Sequence, residues 1–352
     1  MEIILIVLLI GIFAYLKPPE NARFHEDYMD PSATRTIQGV FVVLVFIRHF
    51  MQYASYDGYM EKIIRYPNGY LAQLIVVPFL FYTGYGTMAS IRHKGRDYVK
   101  RIPYDKFLKL LLRFDCCLLL FLSYSIWAGK NYDTGRILLS FTTWRSIGNS
   151  NWYVALILVF YIAVYLSFRW IRSPRISVLL VTALLLWYMF LIKDVKNGYW
   201  YNTLLVLPLG MGFCLVKERV DAWLARRAFA YPVAVCVLSM AVVGLQPFSK
   251  AYVWAYLLWG CAFALLMVLA TMKLRLRNAF FDFLGSHVFS LYILQRIPML
   301  VMKQLNIGTG KAFNYFVATF AATIIMALTF DTCWNWLEVR WQRWHAKKQP
   351  SL

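Results

Sequence analysis

The chain has 352 residues, 61% of them hydrophobic and 15% charged, and a net charge of +20. A water-soluble domain of this length carries roughly 25% charged residues to coat itself, so a soluble globular class is excluded. The positive charge falls in short clusters between apolar blocks and not as a stripe on one face, which argues against nucleic acid as a partner.

Apolar blocks near the length of about 20 residues that spans a bilayer as a helix recur along the whole chain. Backbone groups in lipid must be satisfied within the segment, so helices and not strands are expected. The reading is an all-α, polytopic transmembrane helix bundle of about eleven spans, with the lipid bilayer as an obligatory partner. The first span covers Glu2 to Leu16; without a basic start or a small-residue cleavage site, it reads as a retained helix. Later spans are expected at 36–54, 69–91, 105–128, 151–168, 176–192, 202–216, 229–247, 252–271, 284–303 and 311–337. The domain organisation is an N-terminal helix over 1–17, one membrane domain over 35–337 and a basic tail over 338–352.

The loops alternate in basic content. Arg92 to Lys109, Arg169 to Arg175, Lys217 to Arg227, Lys273 to Arg277 and Arg340 to Lys348 are rich; the loops between them are poorer. Basic loops stay in the cytoplasm, which places the N-terminus outside and the C-terminus and Lys17 to Arg35 inside. The six cysteines (Cys116, Cys117, Cys214, Cys236, Cys261, Cys333) lie in or beside apolar blocks and read as small hydrophobes. No CxxC or HExxH arrangement occurs, so no metal site is expected.

Ionisable groups inside apolar helices are costly and are therefore functional candidates. His49 follows Ile37-Gln38-Gly39, seven apolar residues, Ile47 and Arg48. A histidine can exchange a proton near neutral pH, as activation of a hydroxyl requires; an interfacial histidine bonded to water or a carbonyl explains the spacing equally well. In Phe79 to Gly86, glycines flank Tyr85, and Tyr82 is one turn earlier. Small residues there serve close approach of a ligand or, more simply, helix packing. Asn151-Trp152-Tyr153 opens a span, where aromatics are ordinary interface anchors. The helix from His287 through Tyr292 to Gln295 carries polar groups at intervals, and His287 reads as a solvated helix-end histidine.

In their order and spacing, these four segments resemble the membrane acyltransferase-3 family, bacterial integral-membrane enzymes that move acyl groups, usually acetyl, from coenzyme A to hydroxyls of surface carbohydrates. The likeness runs from about Arg35 to Trp336. The family's basic residue, glycine, aliphatic run and histidine correspond to Gln38-Gly39 through His49. Its Phe-rich stretch ending Ser-Gly-Tyr corresponds to Phe79 to Gly86, with Thr83 for Ser. Its Trp-Phe pair corresponds to Trp152-Tyr153, and its late helix to His287 through Gln295. Tyr66-Pro67-Asn68 is similar to members from capsule and polysaccharide clusters. Gln38 stands where the family has Arg or Lys, Gln295 where it has a late histidine, and the family's cytoplasmic arginine pair is not cleanly matched. Arg35, one turn before Gln38, is a substitute source of charge.

The resemblance implies an O-acetyltransferase of the bacterial inner membrane. It would have no bound cofactor, acetyl-CoA as co-substrate, and an acceptor hydroxyl on a surface or capsular polysaccharide or its lipid-linked precursor. His49 would be general base or donor polariser. Arg35, Gln38, Arg48, Trp152, Tyr292 and Gln295 would support it or contact substrate, and Tyr82 or Tyr85 would steady the oxyanion. Lys94, Arg96, Lys100 and Arg101 would bind the donor's phosphates, although topology alone also gathers basic residues there. A second copy of the chain is a further candidate partner. The alternatives are a carrier or flippase for a lipid-linked saccharide, and an inactive relative. No paired repeat of the kind transporters show is visible.

Overall fold

The structure, a computed structural model, describes residues 11–12, 14–19, 23–54, 69–308 and 311–348. Most of the expected first span and all of Tyr66-Pro67-Asn68 lie outside them. The end of that span, Leu16, belongs to a two-residue ribbon in which β1 (Leu16–Lys17) runs antiparallel to β2 (Arg275–Leu276). All other regular structure among the described residues is helical, and seven helices are long and apolar enough to cross a membrane. The protein is an all-α, multi-pass membrane bundle.

Helix α1 (Pro31–Phe50) begins with proline at its first position, where the missing N–H costs nothing, five residues before the expected start. The chain resumes at Gly69 and passes through a tight 3-10 segment (Ala72–Val76) into α2 (Val77–Arg101). The expected loop from Arg92 to Lys109 is helical instead. Gly95 takes a left-handed φ of 62°, which kinks α2, and a π segment (Ile102–Leu108) leads into α3 (Lys109–Trp127). Then come the short α4 (Thr134–Phe141), α5 (Trp152–Trp170), α6 (Pro174–Ile192), α7 (Val206–Arg226), α8 (Ala230–Ser249) and α9 (Val253–Lys273). The expected single span at 284–303 is broken into α10 (Ala279–Ser286), α11 (Val288–Leu294) and α12 (Arg296–Gln304), with His287 and Gln295 at the joints. Broken backbone at membrane depth is tolerated where protein or a cavity receives it. Helix α13 (Ala312–Lys348) continues past the expected boundary at 337, so the tail is helical through Lys348.

Two crossings bring backbone against backbone. A Cβ on Gly39 would stand 1.8 Å from the Phe281 carbonyl oxygen, and one on Gly285 would stand 1.9 Å from that of Arg35, which joins α1 to α10. Gly84 and Gly210 do the same for α2 and α7, at 2.0 Å from Leu207 O and 2.2 Å from Phe81 O. Small residues allow such dispersion-driven packing where lipid offers no hydrophobic driving force. Gly84 is therefore a packing glycine.

Contacts also sort the loops by face. Arg23 bonds the carbonyls of Ala225 and Ala228, Arg275 pairs with Asp27, Arg92 approaches Glu218 at 3.6 Å, and Lys109 bonds Glu338 at 2.6 Å. These ties gather four of the basic-rich segments on one face, here the Lys94 face. Lys196 bonds the Trp144 carbonyl and Gln73 that of Tyr199 on the other, the His49 face.

Candidate active site

The last turn of α1 delivers Arg48 and His49 to a chamber of about 420 Å³ at the His49 face. Its other walls come from the 3-10 segment (Gln73), the 146–151 loop (Asn149, Ser150), Trp152 at the start of α5, Tyr292 on α11 and Arg296 on α12. The loop is braced from within. Ser146 Oγ donates to Asn149 O at 2.7 Å, Asn149 Oδ1 accepts from Ile147 N at 3.1 Å, and Asn151 Nδ2 donates to the carbonyls of Thr143 and Arg145 at 2.6 and 2.8 Å. Gly148 at φ 108° lets the chain make this turn.

Several buried polar atoms in this chamber make no hydrogen bond: His49 Nδ1, Asn149 Nδ2, the Tyr292 hydroxyl and Arg296 Nε. Buried polar groups are ordinarily satisfied, so four open ones around a cavity mark a place suited to a guest. His49 is 9% exposed, its ring 6.1 Å from that of Tyr292, with the Gln295 carboxamide beside it. Gln295 Nε2 donates to the Tyr292 carbonyl at 2.8 Å, while its Oε1 has no partner.

A second chamber of about 250 Å³ lies behind the first, lined by Gln38, Thr83, Leu110, Tyr153, Tyr161 and Phe289 among others. The two share Val76 and Tyr292, so Tyr292 stands between them. A third cavity of about 300 Å³ sits at the Lys94 face among Lys94, Asp97, Tyr98, Arg101, Asp105 and Lys106. The apolar groove of about 600 Å³ between α7, α8 and α9 contains no ionisable group apart from Cys261 and offers nothing for acid–base chemistry.

The structure thus brings His49, Arg48, Trp152 and Tyr292 to one chamber, puts Gln295 beside His49, and sets Gln38 in the chamber behind. It places other sequence candidates elsewhere. Arg35 is committed to Asp282 on α10 at 2.7 Å. Tyr85 packs against Phe213, ring centroids 6.3 Å apart, and Tyr82 is buried against Phe81; neither lines the His49 chamber. Lys94 and Arg101 share the third cavity, whereas Arg96 and Lys100 do not line it, and Lys100 pairs with Asp97 at 3.3 Å. His287 is no solvated helix end: its Nδ1 lies 2.5 Å from Asp331 Oδ2.

Sequence reasoning passed over Arg296, Gln73 and Asn149, and counted Lys106 only among the basic residues of the Arg92 to Lys109 segment. Arg296 carried a usable signal, an ionisable group inside an apolar block. Gln73 and Asn149 carried none, because local turns of the backbone bring them to the chamber.

The family model for the acyltransferase-3 group, described as an acyltransferase domain, matches residues 35–331. The chain belongs to the acyltransferase-3 family. No curated protein and no solved structure matches it. The family match spans α1 through Asp331 on α13 and encloses all three cavities, so the chambers belong to the acyltransferase domain itself.

Proposed function

We propose that this membrane acyltransferase transfers acetyl from acetyl-CoA to a hydroxyl of a surface carbohydrate or its lipid-linked precursor, in a bacterial inner membrane with the Lys94 face in the cytoplasm. The observation that carries the reading is His49: a buried imidazole with an open Nδ1, facing a polar chamber inside an acyltransferase domain. In the reaction, His49 takes the proton of the acceptor hydroxyl as its oxygen attacks the thioester carbonyl. The C–S bond breaks, the acyl C–O bond forms, and the proton passes to the departing coenzyme A thiolate. Tyr292 stands nearer the reacting groups than Tyr82 or Tyr85 and suits donation to the oxyanion. Lys94, Arg101 and Lys106 around the third cavity suit the donor's phosphates. The second chamber, which shares Val76 and Tyr292 with the first, suits the donor's thioester arm.

Labelled acetyl-CoA supplied to inverted vesicles from cells with and without the protein tests this reading. Label should enter carbohydrate only where the protein is present. Saccharide movement without label transfer would mean a carrier instead.

A further inference from the structure

Beside the His49 chamber, on the same face, lies a larger depression of about 600 Å³. It shares Ser146, Asn151 and Tyr199 with the chamber, so the two form one continuous surface. Arg136, Arg145 and Lys196 line it against a single carboxylate, Asp133.

Arg136 and Lys196 bond backbone carbonyls, not acids. Arg136 Nε donates to the Ser146 carbonyl at 2.9 Å and Lys196 Nζ to that of Trp144 at 2.5 Å. Asp133 caps α4 by accepting from Arg136 N at 2.8 Å. Trp144 and Trp200 hold the Lys196 ammonium between their rings, 3.9 and 4.3 Å from the centroids. Burial, then the Arg145 guanidinium, pushes that ammonium below its ordinary range, as expected where like charges gather without a counter-anion.

Topology does not explain this cluster. The positive-inside bias accounts for cations at the Lys94 face, but these three lie in the poorer loops opposite. An anionic lipid headgroup would satisfy the charges, but it gives no reason for continuity with the chamber or for Tyr199. That residue is 43% exposed, and its ring faces both spaces. An aromatic body with a polar tip beside guanidinium groups suits a pyranose bearing a carboxylate.

We propose that the groove binds an anionic sugar residue of the acceptor, a uronate or similar carboxylate-bearing unit, and so presents a neighbouring hydroxyl to His49. This rests on the acyl-transfer reading above. The test is calorimetric titration of the full chain in nanodiscs of zwitterionic lipid. The probes are tetragalacturonate, its methyl ester of the same shape without charge, and tetrasialic acid with its ester. At least one acid should bind about tenfold more tightly than its ester, a preference that shrinks with salt. Arg145→Gln, at an exposed position, should remove most of that preference while leaving ester binding unchanged; Arg172→Gln at the other face should change neither.

Equal binding of acids and esters, or no binding of any probe, overturns the proposal. So does loss of acid binding when phosphatidylglycerol enters the disc at constant ionic strength, which would assign the groove to lipid. Equal acylation of neutral and acidic acceptors would overturn the charge selection alone. Tight acid binding without acyl transfer to any carbohydrate would leave the groove standing and overturn the acyl-transfer reading.

Discussion

His49 and His287 both sit at helix ends within the bundle, toward opposite faces, and their surroundings differ in one respect. His287 is anchored to a carboxylate. Its Nδ1 meets Asp331, whose carboxylate also takes Arg113 and Ser290, and the Arg113 guanidinium lies 4.6 Å over the Phe289 ring. This network ties α3, α11 and α13 together around the Asp331 carboxylate, with Arg113 Nε left without a partner. His49 is buried and its Nδ1 meets no carboxylate among the described residues, and Asn149 Nδ2 and Arg296 Nε around the same cavity are open as well. An ionisable group inside a membrane protein is costly in either case. A histidine held by a carboxylate reads as a brace, and one left open beside a polar cavity as a candidate for chemistry.

The largest expected effect breaks or keeps this distinction at His49. His49→Gln preserves a hydrogen-bonding side chain but cannot cycle a proton near neutral pH. Acetyl transfer in vesicles should fall by about 10²–10⁴-fold, with the thermal unfolding midpoint in detergent unchanged. Near-normal transfer would reduce His49 to an interface histidine. The mirror experiment is Asp331→Asn, which leaves Arg113 and His287 facing a neutral amide. Stability should drop by about 3 kcal/mol, read as a lower unfolding midpoint, with the rate per folded molecule within about twofold of the parent. A selective loss of rate there would mean that the His287 network also takes part in chemistry.

Gly84→Val sharpens the structural side of the comparison. Its branched side chain must enter the space of the Leu207 carbonyl, so destabilisation of about 1–3 kcal/mol or failure to fold is expected. Gly86→Val, where a Cβ meets nothing within 4 Å, should be tolerated. The smallest effect belongs to the Lys94 face. Replacing Lys94 and Arg101 together by Gln should raise the acetyl-CoA concentration for half-maximal rate by about five- to tenfold with little change in the saturated rate, the mark of lost ground-state binding. The control pair Arg96 and Lys100, outside the cavity, should move it less.

His49 was legible because a titratable group interrupts an apolar run, and Trp152 and Tyr292 because they sit in ordered motifs. The helical class was legible from block length alone. What stayed hidden depends on partners far away in sequence. Arg35 looked free to serve a site, yet Asp282, on a helix that packs against α1 through Gly39 and Gly285, claims it. Tyr85 shares a motif with the Phe-rich stretch, but helical rotation turns it to Phe213. Arg92 to Lys109 reads as a loop by charge, while a kink at Gly95 and a π segment keep it helical and bring Lys106 to Lys94 and Arg101. Hydropathy could not see the breaks at His287 and Gln295, since averaging over a window erases a single bent residue.

Helix α13 has 37 residues, about 55 Å at 1.5 Å per residue, against a hydrocarbon layer of roughly 30 Å. Its overhanging end is strapped to the π segment and α3 by Trp341 Nε1 to the Tyr104 hydroxyl at 2.8 Å and by Lys109 to Glu338 at 2.6 Å. Trp336 and Trp341 are each 53% exposed, and exposed tryptophans at the end of a spanning helix are the usual anchors to the headgroup layer. A helix held at its protruding end cannot answer a thinner bilayer by tilting alone, so the strain must pass into the lipid or along the strap. Tyr104, the residue that receives the strap, lies two positions from Lys106 at the mouth of the third cavity. A shift to shorter acyl chains in the surrounding lipid would therefore load the Trp341–Tyr104 and Glu338–Lys109 contacts first.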